Sequence, residues 1–281
     1  MPELETTPPS PQNNSDNPEI IQDVKTTTWS LIRKKYLSAS IGVILLSILI
    51  IIIHPFLPII ALAVYYFYIQ NKVLAEFMKQ FAAANNLEYQ KNLPLSSIRG
   101  DFFKIGHSQG ISNALSGIYQ NHPTKLFSYR FTTGGGKNQS VHLFTIFEVT
   151  FEKTIFPRIL LQSQTMRRFG EFTFGSKEKE ISLEENFKPS YRLFADPGYE
   201  VETLQIFTPE VLEFLKTQAP DFTVEFAEDR MYLYDDRQIS NRAQLSEFYL
   251  VAKKMLDTLG PLLNRLHDDF AALHPYYKNK K

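Results

Sequence analysis

Six histidines are the side chains of this chain best suited to move a proton or hold a metal near neutral pH. His107, His122 and His142 fall in three neighbouring apolar-patterned segments, where any of them could act as the acid or base of a hydrolase. No spacing in the sequence selects one of them. Ser108, Ser112 and Ser116 lie nearby but lack the glycine-flanked elbow that exposes a nucleophilic serine, so a catalytic triad has no starting point. His267 and His274, with Asp268 and Asp269 between them, stand seven residues apart, two turns along one helix edge. Helical metal ligands usually stand three or four apart, and we read this group as a solvated face.

The run Gly134-Gly135-Gly136-Lys137-Asn138 invites a phosphate-loop reading, which fails on its own terms. The first required glycine would fall on Phe131, and Asn138 stands where Ser or Thr must follow the lysine. The chain has no cysteine, which excludes disulfides, thiolate nucleophiles and cysteine-ligated zinc or iron-sulfur centres. The catalytic residues therefore stay unassigned, and neither a cofactor nor a metal site is expected.

The elements that would position these groups begin with an apolar block. Residues 41–69 contain no Asp, Glu, Lys or Arg, and apolar side chains surround the axis, as expected where lipid is the solvent. One straight helix of that length would measure about 43 Å against a hydrocarbon core of about 30 Å. His54, Pro55 and Pro58 interrupt it, and proline both disfavours helix at the residue before it and suits the first turn of a new one. Two readings follow. A helical hairpin turning at 54–58 has arms at 37–53 and 57–68, the second continuing toward Met78; a single span has the whole block cross once. Helix-breaking favours the hairpin. Arg33, Lys34 and Lys35 before the block, with Lys72 and Lys79 after it, would then share the cytoplasmic side, whereas a single span exports everything after residue 70. Trp29, Tyr36, Tyr65, Tyr66 and Tyr68 fit interfacial belts in either case.

Residues 1–28 are rich in Pro, Asn and Ser without apolar periodicity and are expected to be disordered. The membrane anchor takes residues 29–70. An amphipathic connector helix follows at 71–85, with Val73, Leu74, Phe77, Met78, Phe81 and Ala82 at helical spacing. Residues 86–281 are long enough for one α+β domain or two subdomains, 86–175 and 176–281. Thirty basic against thirty acidic residues leave no large field to attract nucleic acid.

Within that domain, alternation marks strands at 126–133 and 140–151, joined by the glycine run as a hairpin. Further strands are predicted at 102–105, 111–120, 158–162, 180–183, 191–194, 201–207, 223–226 and 231–234. Thr208 and Pro209 start a short helix with Val211, Leu212, Phe214 and Leu215 facing the core. A long helical stripe from about Asn241 carries Leu245, Phe248, Met255, Leu256 and Leu259, with a break or kink expected at Gly260-Pro261 before Leu262, Leu263, Leu266 and Phe270. It is expected to cover one face of a mainly antiparallel sheet, and the absence of alternating helices and parallel strands argues against a dinucleotide-binding fold.

The order of an apolar anchor, the pair Leu183-Glu184, an aromatic strand at 191–194, the acidic Glu200 and Glu202, Thr208-Pro209, and a strand pair at 223–234 resembles the bacterial membrane-anchored family termed domain of unknown function 3137. The resemblance runs over about residues 30–270. It implies a membrane-tethered α+β domain and no particular activity. Two functions are consistent with these readings: a membrane-tethered interaction or scaffold module, which we prefer, whose partners are the lipid bilayer and another protein; and a membrane-associated enzyme, a hydrolase using one of the three sheet histidines.

Overall fold

A computed structural model describes residues 57–152, 154–167, 179–239 and 241–273, and residues 41, 44 and 46 singly. The leader of residues 1–28, residues 42, 43, 45 and 47–56 of the apolar block, and His274 lie outside the described residues, as do the side chains of His267, Asp268 and Asp269.

Helix α1 (Leu57–Ala84) leads into an edge strand, β1 (Glu88–Leu93), which pairs antiparallel with β2 (His107–Tyr119). Strands β3 (His122–Thr133) and β4 (Ser140–Thr150) continue the meander. After β5 (Phe156–Ser163), β6 (Lys179–Ile181) and β7 (Tyr191–Ala195) come two short helices, α2 (Glu200–Ile206) and α3 (Pro209–Gln218). The hairpin β8 (Thr223–Glu228) and β9 (Arg230–Asp235) and the long helix α4 (Arg242–Leu273) complete the described chain. Among the described residues the strands form one antiparallel sheet in the order β1-β2-β3-β4-β9-β8-β5-β7-β6. The late hairpin β8–β9 inserts between the meander and β5, joining the two halves of the chain through one hydrogen-bonded ladder.

Because side chains alternate along a strand, the sheet has two apolar faces, and each is covered. Leu126, Phe147, Val149, Ile159, Leu161, Val224, Phe226, Met231 and Leu233 face a layer made of α1, α2, α3 and α4. On the opposite face Phe127, Tyr129, Phe131, Phe144, Ile146, Tyr232 and Tyr234 meet the strap between β1 and β2, residues 94–106, through Ile98, Phe102, Phe103 and Ile105. Phe102 is fully buried and touches the rings of Phe103, Tyr129, Phe131, Phe144 and Tyr234 at centroid distances of 4.5–5.8 Å.

Two predicted strands are corrected. Residues 102–105 are not a strand but the turn Phe102–Lys104 of the strap. Phe102 and Phe103 both insert into one aromatic cluster, which alternation in a strand would prevent. Residues 201–207 form helix α2: Thr203, Ile206 and Phe207 are buried while Val201 and Leu204 are exposed, a spacing of three to four, with Glu200 and Glu202 in its first turn. Of the break or kink expected at Gly260-Pro261, the break does not occur: helix α4 extends through Pro261.

Local signals elsewhere act as anticipated. The Thr208 hydroxyl accepts from the Val211 N–H at 3.5 Å and caps α3, with Pro209 at its first position. The Asn241 side chain accepts from the Gln244 N–H at 3.0 Å at the start of α4. In the β3–β4 turn Gly134 has φ +76°, and a Cβ there would lie 2.2 Å from the Asn138 carbonyl oxygen, so only glycine fits.

Candidate functional site

Three places could carry function, and each rests on a different layer of the fold.

The first is α1, which changes character along its length. Residues 59–68 are apolar or aromatic, and all but the half-buried Tyr65 are exposed. Ten residues turn nearly three times, so every side of the helix presents apolar surface there. From Ile69 onward the helix turns one stripe inward, through Val73, Phe77, Met78, Phe81 and Ala82. The contrast is large: Phe67 is 66% exposed and Phe81 is 1% exposed. Lys72 marks the boundary, its ammonium 5.5 Å from the ring centroid of Tyr68. Ile41, Ile44 and Leu46 are also helical and exposed. The exposed apolar length of α1 is about 15 Å at 1.5 Å per residue, half a hydrocarbon core, and no described helix is long and apolar enough to cross a membrane.

The second is a polar row beneath the strap. Register places Lys125, Glu148, Tyr232, Glu225 and Leu160 side by side across β3, β4, β9, β8 and β5. Glu148 and Glu225 are both buried. Glu148 accepts from Lys125 Nζ at 2.8 Å and from Arg230 Nη1 at 3.0 Å. Arg230 also donates to the Ser97 carbonyl at 2.6 Å, and the Arg99 N–H donates to the Tyr232 hydroxyl at 3.1 Å. Glu225 instead accepts from the Tyr234 hydroxyl and, at 3.4 Å, from the Asp101 N–H. Desolvation pushes its carboxyl up to about 7, against the opposing pull of the Tyr234 hydrogen bond and the charges of Arg158 and Lys104. Burial likewise holds the Tyr232 and Tyr234 hydroxyls above their ordinary range.

The third is a small open depression at the start of α4, where Phe222, Ile239, Phe248 and Val251 lie beside an ion pair. Arg237 grips both Asp235 oxygens at 2.7–3.0 Å, and that hydrogen bonding raises the guanidinium above its ordinary range.

The sheet histidines do not converge. His107 and His142 lie at the β3–β4 turn end: His107 Nε2 is 3.0 Å from the Gly134 carbonyl and Nδ1 is 3.0 Å from Ser108 Oγ, while His142 Nε2 is 2.8 Å from Thr133 Oγ1. His122 begins β3 at the opposite end, its ring 4.6 Å from that of Phe151. Nine residues of strand separate it from Phe131, the partner of His142, about 30 Å at 3.3 Å per residue. The Ser108–His107 contact is exposed, and the second ring nitrogen meets a backbone carbonyl, not the carboxylate that orients a triad base. Ser112 and Ser116 take ordinary ladder positions on β2 opposite Ser128 and Lys125. Among the described residues no group of His, Asp and Glu is arranged to hold a metal ion.

The polar row was missed in the sequence because Glu148 alternates with Phe147 and Val149, and Glu225 with Val224 and Phe226, the pattern of a water-facing carboxylate. Only the strap reverses that meaning.

These features define an α+β protein with one antiparallel sheet, helices on one face, an aromatic strap on the other and an uncovered apolar helix segment leading into it. No family model matches the sequence, and no curated protein does. Among solved structures, the chain is similar to the crystal structure of the mycobacterial trehalose monomycolate transport factor A, TtfA, at 11% identity and a TM-score of 0.49, over 66% of this chain and 96% of that one. Identity this low leaves activity and partner to be argued from the chain itself.

Proposed function

We propose that the chain is a membrane-tethered α+β interaction module, with the apolar block and the first half of α1 in the bilayer and the sheet domain presented to a protein partner. The observation that carries this reading is the change of exposure along α1. Ten residues apolar on every side are costly in water, and the same helix, without interruption, becomes part of the domain core. The domain is thereby fixed to the anchor by packing and not by a loose linker. Tyr65, Tyr66, Tyr68 and Lys72 sit where the apolar surface ends, as side chains at a membrane interface do. The depression beside Arg237, lined by both apolar and charged side chains, has the mixed composition of a protein contact. This reading puts the anchor in hairpin form, its second arm ending near Tyr68 because Phe77 and Met78 belong to the domain core and not to the expected continuation of that arm, and the domain on the cytoplasmic side.

Fractionation of cells expressing the full chain tests the anchor. The protein should stay in the membrane pellet after alkaline carbonate washing, and Val64→Lys with Phe67→Lys should release it partly; a soluble wild-type chain overturns the proposal. Reporters fused behind Lys281 test the side. Activity of a cytoplasm-dependent reporter supports the hairpin, and activity of an export-dependent one replaces it with a single span. A photo-crosslinking residue at position 247, on the depression, should trap one discrete protein species in cells.

A further inference from the structure

The two buried glutamates of the polar row are treated differently by the fold. Glu148 has two cations in contact, Lys125 and Arg230. Glu225 has none at hydrogen-bond distance: Arg158 and Lys104 act on it from farther away, and both are engaged with Asp101 of the strap. The carboxylate of Glu225 is instead roofed by the strap itself. The Asp101 N–H points to one of its oxygens, and Gly100, at φ +127°, approaches so closely that a Cβ would lie 3.3 Å from Oε1. Glu225 is 3% exposed in this arrangement, with residues 100 and 101 of the strap against its carboxylate.

We propose that the 94–106 strap is a proton-sensitive cover on the sheet, held closed while Glu225 is protonated and loosened when Glu225 ionises. The inference does not depend on membrane anchoring. The groups facing Glu225 are Tyr234 and, by register, Tyr232 from β9, Arg158 from β5, and Asp101 and Lys104 from the strap; the Arg99 guanidinium is turned to Glu228 and Asp229 at the β8–β9 turn, and Glu148 and Arg230 lie farther along the row. The two tyrosines keep their protons because burial opposes ionisation. Closure costs the ionised carboxylate its hydration, which outweighs the Tyr234 hydrogen bond and the distant cations and pushes the group up to about 7. Lifting the strap returns water and lets the carboxyl fall back toward its ordinary value of 4.5, so opening releases a proton and is favoured as pH rises. For full rehydration in the open form, linkage makes the opening constant rise about tenfold between pH 6 and pH 8. Opening withdraws Phe102 and Phe103 and bares the aromatic surface of Tyr129, Phe144, Tyr232 and Tyr234. The device is a switch that shows an apolar sheet face on the alkaline side of neutrality.

Hydrogen exchange followed by mass spectrometry, on the full chain in detergent micelles at pH 6, 7 and 8, tests this. Exchange is corrected for its intrinsic pH dependence, and peptides from 94–106 are compared with peptides from β3. The strap's opening constant should rise about tenfold across that range in the wild type, with β3 unchanged, and should be flat in Glu225→Gln. A strap equally protected at all three pH values, or a rise that survives in Glu225→Gln, overturns the proposal. Should Glu225→Gln lose β3 protection as well, Tyr234→Phe decides. Removing the donor to the ionised carboxylate must extend the rise to higher pH before it levels off, and a rise that levels off at the same pH also overturns it.

Discussion

Removing Arg230 should damage this domain more than removing Arg230 and Glu148 together. Glu148 is fully buried and accepts from Lys125 Nζ at 2.8 Å and Arg230 Nη1 at 3.0 Å, while the same guanidinium nitrogen donates to the Ser97 carbonyl at 2.6 Å. Arg230→Met leaves a buried carboxylate with one cation and a strap carbonyl with no charged donor. Breaking a buried pair on one side costs about 3–5 kcal/mol, and the remaining Lys125 contact puts this case near the lower end. The lost hydrogen bond to Ser97 adds about 1 kcal/mol, for a total of about 4 kcal/mol. For a domain of this size, about 2–4 °C of Tm per kcal/mol translates that into a fall of about 8–16 °C. In Glu148→Leu/Arg230→Met the unpaired buried charge is gone, and Lys125, whose side chain is 27% exposed, can turn to water. The double variant should therefore recover about 2 kcal/mol relative to Arg230→Met. Thermal melts of the wild type, both single variants and the double variant, by circular dichroism in micelles, close the cycle. Simple additivity of the two single losses would refute the argument, because it would mean that the two side chains do not compensate each other's charge.

Other consequences are as concrete. Because Glu225 is raised in the folded state from 4.5 to about 7, its stabilising contribution is complete below pH 4.5 and is lost as pH climbs through 7; the window corresponds to about 3 kcal/mol, so the Tm of the wild type should fall relative to Glu225→Gln between pH 5 and 8. Phe102→Ala, which empties a site touched by five aromatic rings, should cost about 3–5 kcal/mol and increase binding of a hydrophobic dye, as read by chemical denaturation and dye fluorescence. Thr208→Ala should cost about 0.5–1 kcal/mol through loss of the α3 cap, at the low end because the bond to Val211 N–H is 3.5 Å, and a melt resolves it as a shift of a few degrees.

Where a residue's neighbours in the chain were also its physical environment, the sequence was legible. The β3–β4 hairpin follows from alternation and from a glycine that alone tolerates the turn; α3 follows from a Thr-Pro start. The inward stripe of α1 from Val73 to Ala82 follows from helical spacing, and its all-round apolar first half was plain from composition. Strand β1 was not foreseen, because Glu88–Leu93 is a polar edge strand whose assignment depends on partners 18 to 28 positions away, Ile111 to Ser116. Residues 102–105 and 201–207 were read as strands since short apolar runs carry no periodicity that separates strand from turn or helix.

What the sequence determined by itself was therefore the class of solvent each segment needs: apolar on every side at 59–68, two-faced in the strands, one-faced in α4. What only the tertiary structure decided was which of those faces would be covered and by what. The insertion of β8–β9 between β4 and β5 brings residues some 80 positions apart into one row, and the strap then closes over that row. A glutamate in an alternating strand carries the same local pattern whether water or Phe102 and Phe103 lie above it. The strap's placement, a long-range packing choice, buried two apparent surface carboxylates, one of them the Glu225 on which the proposed proton sensitivity rests.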